Sequence, residues 1–325
     1  NQRGALMKIS VRMEGGLGDH LLANRFIPAI KERWPSCEID LYSDTEGNTF
    51  QSDILKRMWP SHFNKVAVLQ DKKHKNFRIK SSNFPEEDYR GSIKNVPDSD
   101  LRSMTESYDK FYDLHIDSLE WMNYSFDWFK HFHIFPTPEK RGRMHYPSAN
   151  FPKKFILAHL YARDDADSNM EDWYIERLVK SITQEFEMIV LYNDESKHKY
   201  EKLMSEENEN LHFMNESVPS IFDIASRCTA MLAIDSGIRY IPHHYGKPVF
   251  TFSKYCTQYG VVQYSYLIRW LLNDRYVLPL HYDISSAGTM LKNCLKNPAY
   301  RLYPHLLDNI ESLVAQRDIT EYITE

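Results

Sequence analysis

The sequence has few cysteines, few glycines and no long apolar run, and each shortage excludes a class of protein. Its four cysteines lie far apart and form no Cys-x-x-Cys pair, which argues against a zinc site or a disulfide scaffold and favours a reducing cytosol. No apolar run approaches the ~20 residues that a membrane-spanning helix needs. The 11 glycines are outnumbered by 21 tyrosines and by 17 phenylalanines, which disfavours an architecture of glycine-rich loops.

Charge and length are those of an ordinary globular chain. The net charge of -5 excludes a protein that binds polyanions over its whole surface, although a local basic face stays open. With 42% hydrophobic residues, the 325 residues are enough for two domains with proper cores. We expect a cytoplasmic protein without a transmembrane segment and with Met7 as its native first residue. A peripheral position at the inner face of a membrane is the alternative.

Strands and helices alternate in both halves of the sequence. Apolar and polar residues alternate over residues 7–13 and predict a first strand, and a helix follows in which Pro28 should produce a kink. Further strands are predicted at residues 38–42, 65–69, 112–116, 155–160, 188–192 and 230–234. This alternation predicts an α/β protein with two Rossmann-like parallel-sheet domains.

A proline-rich, basic stretch at residues 136–153 interrupts the alternation and predicts the domain boundary. We expect an N-terminal domain over residues 7–148 and a C-terminal domain over residues 149–305. Residues 306–325 are expected to contain a helix that packs back on the N-terminal domain.

The turn Asp235-Ser236-Gly237 directly follows a buried apolar strand. Open α/β sheets bind ligands at the carboxyl ends of their strands, and Gly237 lets a ligand approach the backbone closely. Free N–H groups at the start of the next helix would suit an anion such as a diphosphate. The turn is therefore a candidate anion site, in which Ser236 and Gly237 would hold phosphate beside Asp235. An Asx-type turn that caps the helix is the alternative.

A second glycine turn, formed by Gly15, Gly16, Leu17, Gly18 and Asp19, follows the first strand. It is not a dinucleotide fingerprint, because the third glycine of that motif is missing. Asp19 either caps the following helix or acts as a general base that takes the proton of an attacking hydroxyl. A helix N-terminus stabilises the carboxylate and makes it less basic, so the residues alone leave both roles open.

The order and spacing of these motifs resemble the ADP-heptose:lipopolysaccharide heptosyltransferase family. The matching features are Gly18-Asp19, the turn Asp235-Ser236-Gly237, and the downstream Gly246-Lys247-Pro248. The resemblance covers the sequence up to about Asp44 and about residues 155–253. It implies a GT-B-type architecture, in which two Rossmann-like domains face each other across a cleft. The N-terminal domain would hold acceptor and base, and the C-terminal domain the nucleotide sugar.

The same resemblance implies roles for single residues. Asp19 would be the base, and the residues assigned to the donor are Tyr161, Arg163, Asp235, Ser236, Gly237, Tyr240 and Lys247. Glu171 stands where the family has a phosphate-binding lysine two residues before Trp173, so Arg163 is the substitute cation. A salt bridge of Arg163 within its own loop is the alternative. Tyr240 stands where the family usually has histidine.

The implied reaction is direct displacement at the anomeric carbon with inversion. The donor would be a nucleoside-diphosphate sugar, and the acceptor the hydroxyl of a saccharide or glycolipid. Asp19 would take the acceptor proton, while Ser236, Gly237 and Arg163 stabilise the leaving diphosphate. No Asp-x-Asp pair is placed to require a metal ion, so we expect metal-independent transfer without a cofactor.

A basic tract supplies a further candidate contact and an alternative function. Its cations are Lys72, Lys73, Lys75 and Arg78, with Phe77 among them. The tract is either a solvated loop or a contact for a polyanionic acceptor, with Phe77 stacking on a base. One alternative function is therefore sugar transfer to a hydroxymethylated base in DNA. Another is a non-catalytic nucleotide-sugar-binding protein, which the departures at Glu171 and Tyr240 favour.

Overall fold

The computed structural model describes residues 6–14, 16–44, 50–68, 105–114, 135–139, 152–162, 169–215, 218–254 and 276–297. The chain divides into two compact units, and the division falls between Arg141 and Gly142. Within the described ranges, no helix is both long enough and apolar enough to cross a membrane. The helix predicted over residues 306–325 lies outside the described residues.

The first unit is built on a four-stranded parallel sheet in the order β3-β2-β1-β4. Its strands are β1 (Lys8–Glu14), β2 (Glu38–Asp44), β3 (Lys65–Val68) and β4 (Lys110–Asp113). Its helices are α1 (Leu17–Ala23), α2 (Phe26–Arg33) and α3 (Phe50–Met58). Ile9, Val11 and Met13 on β1 are fully buried, and so are Ser10 and Arg12 between them. The central strand is therefore covered on both faces, as parallel sheets usually are.

The helix predicted after β1 is divided rather than kinked. α1 ends at Ala23 and α2 begins at Phe26, so Pro28 lies in the first turn of α2. Proline has no N–H to donate to the carbonyl of Asn24, and its ring would clash with that carbonyl in a continuous helix. In a first turn this N–H has no helical partner in any case, which explains why Pro28 is accommodated there.

The second unit is built on a six-stranded parallel sheet in the order β10-β9-β8-β5-β6-β7. Its strands are β5 (Ile156–His159), β6 (Met188–Leu191), β7 (Leu211–Met214), β8 (Ala230–Ile234), β9 (Val249–Ser253) and β10 (Tyr276–Pro279). Its α-helices are α4 (Asp172–Thr183), α5 (Glu201–Met204), α6 (Val218–Arg227) and α7 (Ile284–Lys296). Short 3₁₀ helices span Lys197–Lys199, Gly237–Tyr240 and Pro242–Tyr245. The two parallel α/β sheets confirm the predicted fold class.

Strand order places one crevice in each sheet. In the first unit the chain passes from β1 to β2 and β3 on one side, and then returns to β4 on the other side of β1. In the second unit it passes from β5 to β6 and β7, and then returns to β8 on the other side of β5. Ligands of open α/β sheets bind at such a reversal, outside the carboxyl ends of the strands. The ends of β1 and β4, and those of β5 and β8, are therefore the expected ligand positions.

Candidate functional site

The carboxyl ends of β5 and β8 bring His159 and Ser236 together. The two strands are neighbours, and His159 is in register with Ala233 near the end of β8. Nδ1 of His159 lies 2.9 Å from the hydroxyl oxygen of Ser236. The imidazole keeps some solvent exposure, yet protein surrounds most of it, and this burial lowers the pKa of His159 to about 4. A neutral histidine therefore holds the serine of the predicted phosphate turn at neutral pH.

A buried arginine fixes the aspartate of the same turn. Nη2 of Arg239 lies 3.1 Å from Oδ1 of Asp235, and the arginine side chain is completely buried. The same Nη2 donates to the hydroxyl of Tyr240, and the guanidinium carbon lies 4.3 Å from the centroid of that ring. Tyr240 is only 2% exposed. Asp235 is thus oriented at the sheet edge by Arg239, and Tyr240 supports that arginine from inside the fold. Donor contacts of Asp235 and Tyr240 stay predictions.

The segment after Gly237 forms 3₁₀ turns in place of the regular helix that the sequence suggested. The Ile241 N–H donates to the carbonyl of Ile238, three residues back, at 3.0 Å. Pro242 has no N–H for the corresponding α-helical bond to Ile238, which favours the tighter turn. So short a helix aligns few peptide dipoles, and an anion at its start gains little from them. The Ser236 hydroxyl is a hydrogen-bond donor that does not depend on the helix dipole, and its contact with phosphate stays a prediction.

Lys247 does not lie with Asp235 and Ser236. Strand β9 runs parallel to β8, so the chain must return to the amino-terminal edge of the sheet before β9 begins. The Met231 N–H, at the start of β8, donates to the carbonyl of Pro248 at 3.0 Å. Burial raises the pKa of the Cys228 thiol to about 12, and the positive charge of Lys247 opposes that rise. Cys228 precedes β8, so Lys247 lies near the amino-terminal edge of the sheet. At ~3.3 Å per residue, β8 separates the two edges by about 13 Å. The donor role of Lys247 stays a prediction, and the direction of the strands argues against it.

Tyr161 and Glu171 have local partners after β5. Tyr161 is 6% exposed, and Nζ of Lys199 lies 5.0 Å from the centroid of its ring. Glu171 occupies the N-cap position of α4, and its carboxylate accepts a hydrogen bond from the indole N–H of Trp173. The Glu171 carboxylate therefore has a partner in the first turn of α4 but makes no hydrogen bond to the helix backbone. The donor role of Tyr161 stays a prediction.

Several predicted site residues lie outside the described part of the chain. They are Gly15, Arg163, Lys72, Lys73, Lys75 and Arg78. Their predicted roles in the glycine turn, in donor binding and in acceptor binding therefore stay predictions.

Asp19 lies at the crevice of the first sheet, in the first turn of α1. Its Oδ2 accepts a hydrogen bond from the backbone N–H of Gly16 at 2.9 Å, and Gly16 is the N-cap residue of α1. This is the carboxylate half of a capping box. Asp19 therefore caps the turn from the third helical position. Capping does not exclude the role of a base, because the second carboxylate oxygen can still accept a proton.

His20 ties the same turn to the end of β2. Its Nδ1 lies 2.9 Å from the carbonyl oxygen of Gly16, and its Nε2 lies 2.7 Å from the hydroxyl oxygen of Ser43. A carbonyl oxygen only accepts, so Nδ1 must carry the hydrogen. Both the N–H and the carbonyl of Gly16 are therefore held, one by Asp19 and the other by His20. The backbone of this turn is fixed on both sides.

The sequence analysis did not assign a role to His20, His159 or Arg239. His159 was detectable as a polar residue ending the apolar run Phe155–Ala158. His20 directly follows the predicted base, and Arg239 lies one helical turn after Asp235. In each case the missing information was the hydrogen-bond partner, which the fold supplies. Among the residues that the structure describes, no three His, Cys, Asp or Glu side chains are grouped so as to hold a metal ion.

Two parallel α/β units, each with a crevice at its strand reversal, are consistent with the GT-B class of fold. Solved structures agree with this assignment. The E. coli heptosyltransferase WaaC, in complex with ADP-2-deoxy-2-fluoro heptose, has a TM-score of 0.52 at 10% identity, over 88% of this chain and 99% of that chain. A glycosyl transferase family 9 protein from Veillonella parvula has a TM-score of 0.52 at 9% identity, over 96% and 98%.

The sequence itself is more distant. No protein-family profile matches it, and no curated protein matches it either. At the identities of the solved structures the similarity establishes the fold, and the activity must be argued from the site.

Proposed function

We propose that this protein is a glycosyltransferase that moves a sugar from a nucleoside-diphosphate sugar to an acceptor hydroxyl. The observation that carries the proposal is the turn Asp235-Ser236-Gly237 at the strand reversal of the second sheet, where His159 holds the Ser236 hydroxyl. A hydroxyl donor, backbone N–H groups and an oriented carboxylate at one sheet edge suit a ligand with both phosphate and sugar hydroxyls.

The proposed chemistry is a single displacement. The acceptor oxygen attacks the anomeric carbon, the bond from that carbon to the diphosphate oxygen breaks, and the configuration inverts. Asp19 receives the proton of the acceptor hydroxyl. The Ser236 hydroxyl and the N–H groups of Ser236 and Gly237 donate to the leaving diphosphate, whose negative charge grows as the bond breaks. Arg163 adds a cation to the same group, and transfer requires no metal ion or cofactor.

The proposed acceptor is a saccharide or glycolipid. Sugar hydroxyls are weak acids, so a positioned carboxylate contributes substantially to their activation. The proximity of Asp19 to a helix N-terminus lowers its basicity but keeps it ionised and ready to accept a proton.

A donor screen tests the binding half of the proposal. ADP-, UDP-, GDP- and CMP-sugars are added separately, and the unfolding temperature of the protein is recorded. A ligand at a hundredfold excess over its dissociation constant stabilises the folded state by about 2.7 kcal/mol. We expect at least one diphosphate sugar to raise the unfolding temperature. No shift with any of them would contradict the donor site.

The substitution Asp19→Asn tests the catalytic half, because it separates capping from proton transfer. The asparagine oxygen can still accept the Gly16 N–H, but it cannot take a proton at neutral pH. We expect kcat to fall by roughly 10²- to 10⁴-fold with an unchanged unfolding temperature. Asp19→Ala removes both functions, and its stability should fall by about 1 kcal/mol in addition.

The two variants also identify a protein that only binds nucleotide sugars. For such a protein, donor turnover would be at the background level in the wild type and also in both variants. If Asp19→Asn retained wild-type turnover while Asp19→Ala lost stability, Asp19 would be a cap alone.

A further inference from the structure

His159 is the polar end of a strand that is otherwise apolar. Ile156, Leu157 and Ala158 are at most 1% exposed, and His159 follows them at the carboxyl edge of the sheet. Its Nδ1 approaches the Ser236 hydroxyl oxygen to 2.9 Å across the strand reversal. The three residues before His159 on β5 are apolar and buried, so packing alone does not explain a histidine at this position.

The protonation state of His159 limits what it can do. Burial lowers its pKa to about 4, so the imidazole is neutral at neutral pH. A general base works best with a pKa near the working pH, and His159 is therefore poorly suited to taking the proton of Ser236. A neutral imidazole still has one nitrogen that donates and one that accepts. Orientation of the serine hydroxyl is the remaining role for this contact.

We propose that His159 is a positioning residue for the diphosphate subsite. Its Nδ1–H donates to the Ser236 oxygen, and the serine hydroxyl proton then points away from the imidazole and toward a phosphate oxygen of the ligand. A serine oxygen that already accepts a hydrogen bond must direct its own O–H elsewhere. A donor fixed before the ligand arrives loses less entropy on binding. The identity of the ligand rests on the proposed function.

A double-mutant cycle on the full-length protein tests whether His159 acts through Ser236. ADP, UDP, GDP and CDP are titrated by calorimetry, and the tightest binder is used with His159→Ala, Ser236→Ala and the double variant. Ser236→Ala should weaken binding by roughly tenfold, the effect of a lost hydrogen bond to a charged group. His159→Ala should weaken it by roughly fivefold in the wild type and not further in the Ser236→Ala background. Equal losses in both backgrounds, or no loss, would overturn the proposal.

His159→Asn is the matched conservative variant. The asparagine Nδ2 occupies nearly the place of the histidine Nδ1 and also donates a hydrogen bond. We expect this variant to bind the diphosphate within about twofold of the wild type, whereas His159→Ala does not. If both variants lose affinity equally, the contact depends on the imidazole ring and the proposed donor role is wrong.

The tautomer can be measured without any ligand. In the ¹⁵N-labelled protein, the nitrogen chemical shifts of His159 should report hydrogen on Nδ1 and should change in Ser236→Ala. Hydrogen on Nε2 in the wild type would overturn the proposal even if sugar transfer is observed. Conversely, the tautomer and the double-mutant cycle could both give the expected result in a protein that transfers no sugar. That result would support the positioning role of His159 and contradict the proposed function. If none of the four nucleoside diphosphates bound, neither proposal would have its ligand, and both would be contradicted.

Discussion

At the scale of single residues, histidine side chains form hydrogen bonds with oxygen atoms in both units. His20 and His159 do so at the carboxyl edges of the sheets, as described above. His62, in the first unit, places Nδ1 at 3.2 Å from Oδ1 of Asn24. Burial and then the nearby charge of Lys31 lower the pKa of His62 to about 4. Between about pH 4 and pH 6.5, His62 and His159 are therefore neutral in the folded state, whereas both would be protonated in the unfolded chain.

This difference predicts a loss of stability in acid that can be assigned to His62. An unfolded histidine titrates near pH 6.5, so between about pH 6.5 and 4 the unfolded state binds more protons, and the free energy of unfolding falls as pH falls. Between pH 7 and pH 5 the loss from His62 is about 2 kcal/mol. His62→Asn keeps a donor for Asn24 but does not titrate. Urea unfolding at both pH values should show that this variant loses about 2 kcal/mol less than the wild type.

An exposed histidine provides the control for this measurement. His198 is exposed, and His198→Asn should lose as much stability on acidification as the wild type. An equal loss in His62→Asn and the wild type would contradict the assignment.

At the scale of elements, the crossover after β8 ends at a glycine with a special backbone conformation. Gly246 closes the 3₁₀ helix Pro242–Tyr245 with φ 65° and ψ 21°, in the left-handed region. A Cβ at this position would meet no atom within 4 Å, so the cost of a side chain is conformational. Gly288 offers the same open space within the regular backbone of α7. Both positions have room for a methyl group, so the difference in backbone conformation can be tested with the same substitution.

We therefore expect alanine to have opposite effects at the two positions. Gly246→Ala should lower the free energy of unfolding by about 1 kcal/mol, the cost of the left-handed conformation for a residue with a side chain. Gly288→Ala should raise it by about 1 kcal/mol, because alanine favours the helix interior over glycine. Urea unfolding of both variants beside the wild type measures the two signs. Effects of the same sign would show that space, and not backbone conformation, governs one of the positions.

Elements with a strong local pattern were predictable from the sequence, and elements that depend on their neighbours were not. β8 has the predicted bounds, Ala230–Ile234, and every residue of it is buried. β7 is a half-buried edge strand of four residues, and β10 ends in a proline on the opposite edge. β7 and β10 are strands because the adjacent strands, β6 and β9, supply their backbone hydrogen bonds. α7 carries a readable amphipathic pattern, and the sequence analysis did not assign it.

At the scale of the whole molecule, both sheets place the turns predicted to form the site by the same topological rule. Asp19 follows the central β1, and the sheet order reverses beside that strand. Ser236 follows β8, next to β5, where the second sheet reverses. The sequence predicted both turns, because each is a glycine turn after an apolar strand. The partners that orient them, His20 and His159, require knowledge of which strands are adjacent.

Sequence proximity does not by itself make Lys247 and Ser236 spatial neighbours, for a reason that lies in the direction of the strands. Lys247 is 11 positions from Ser236, and the motif that contains it resembles a family pattern. In a parallel sheet, however, the end of one strand and the start of the next lie at opposite edges. Gly246-Lys247-Pro248 therefore lies just before β9, while Ser236 follows the end of β8.

The strand direction makes a prediction that distinguishes the two edges. Hydrogen exchange is measured with and without the tightest-binding nucleoside diphosphate. The ligand should protect peptides that cover residues 157–162 and 233–240, because both lie at the carboxyl edge, and should leave residues 246–249 unchanged. In the same series, Lys247→Ala should bind the diphosphate within about twofold of the wild type, whereas Ser236→Ala should bind roughly tenfold more weakly. Equal losses in the two variants, or protection centred on residues 246–249, would place the ligand at the amino-terminal edge and contradict the reasoning from topology.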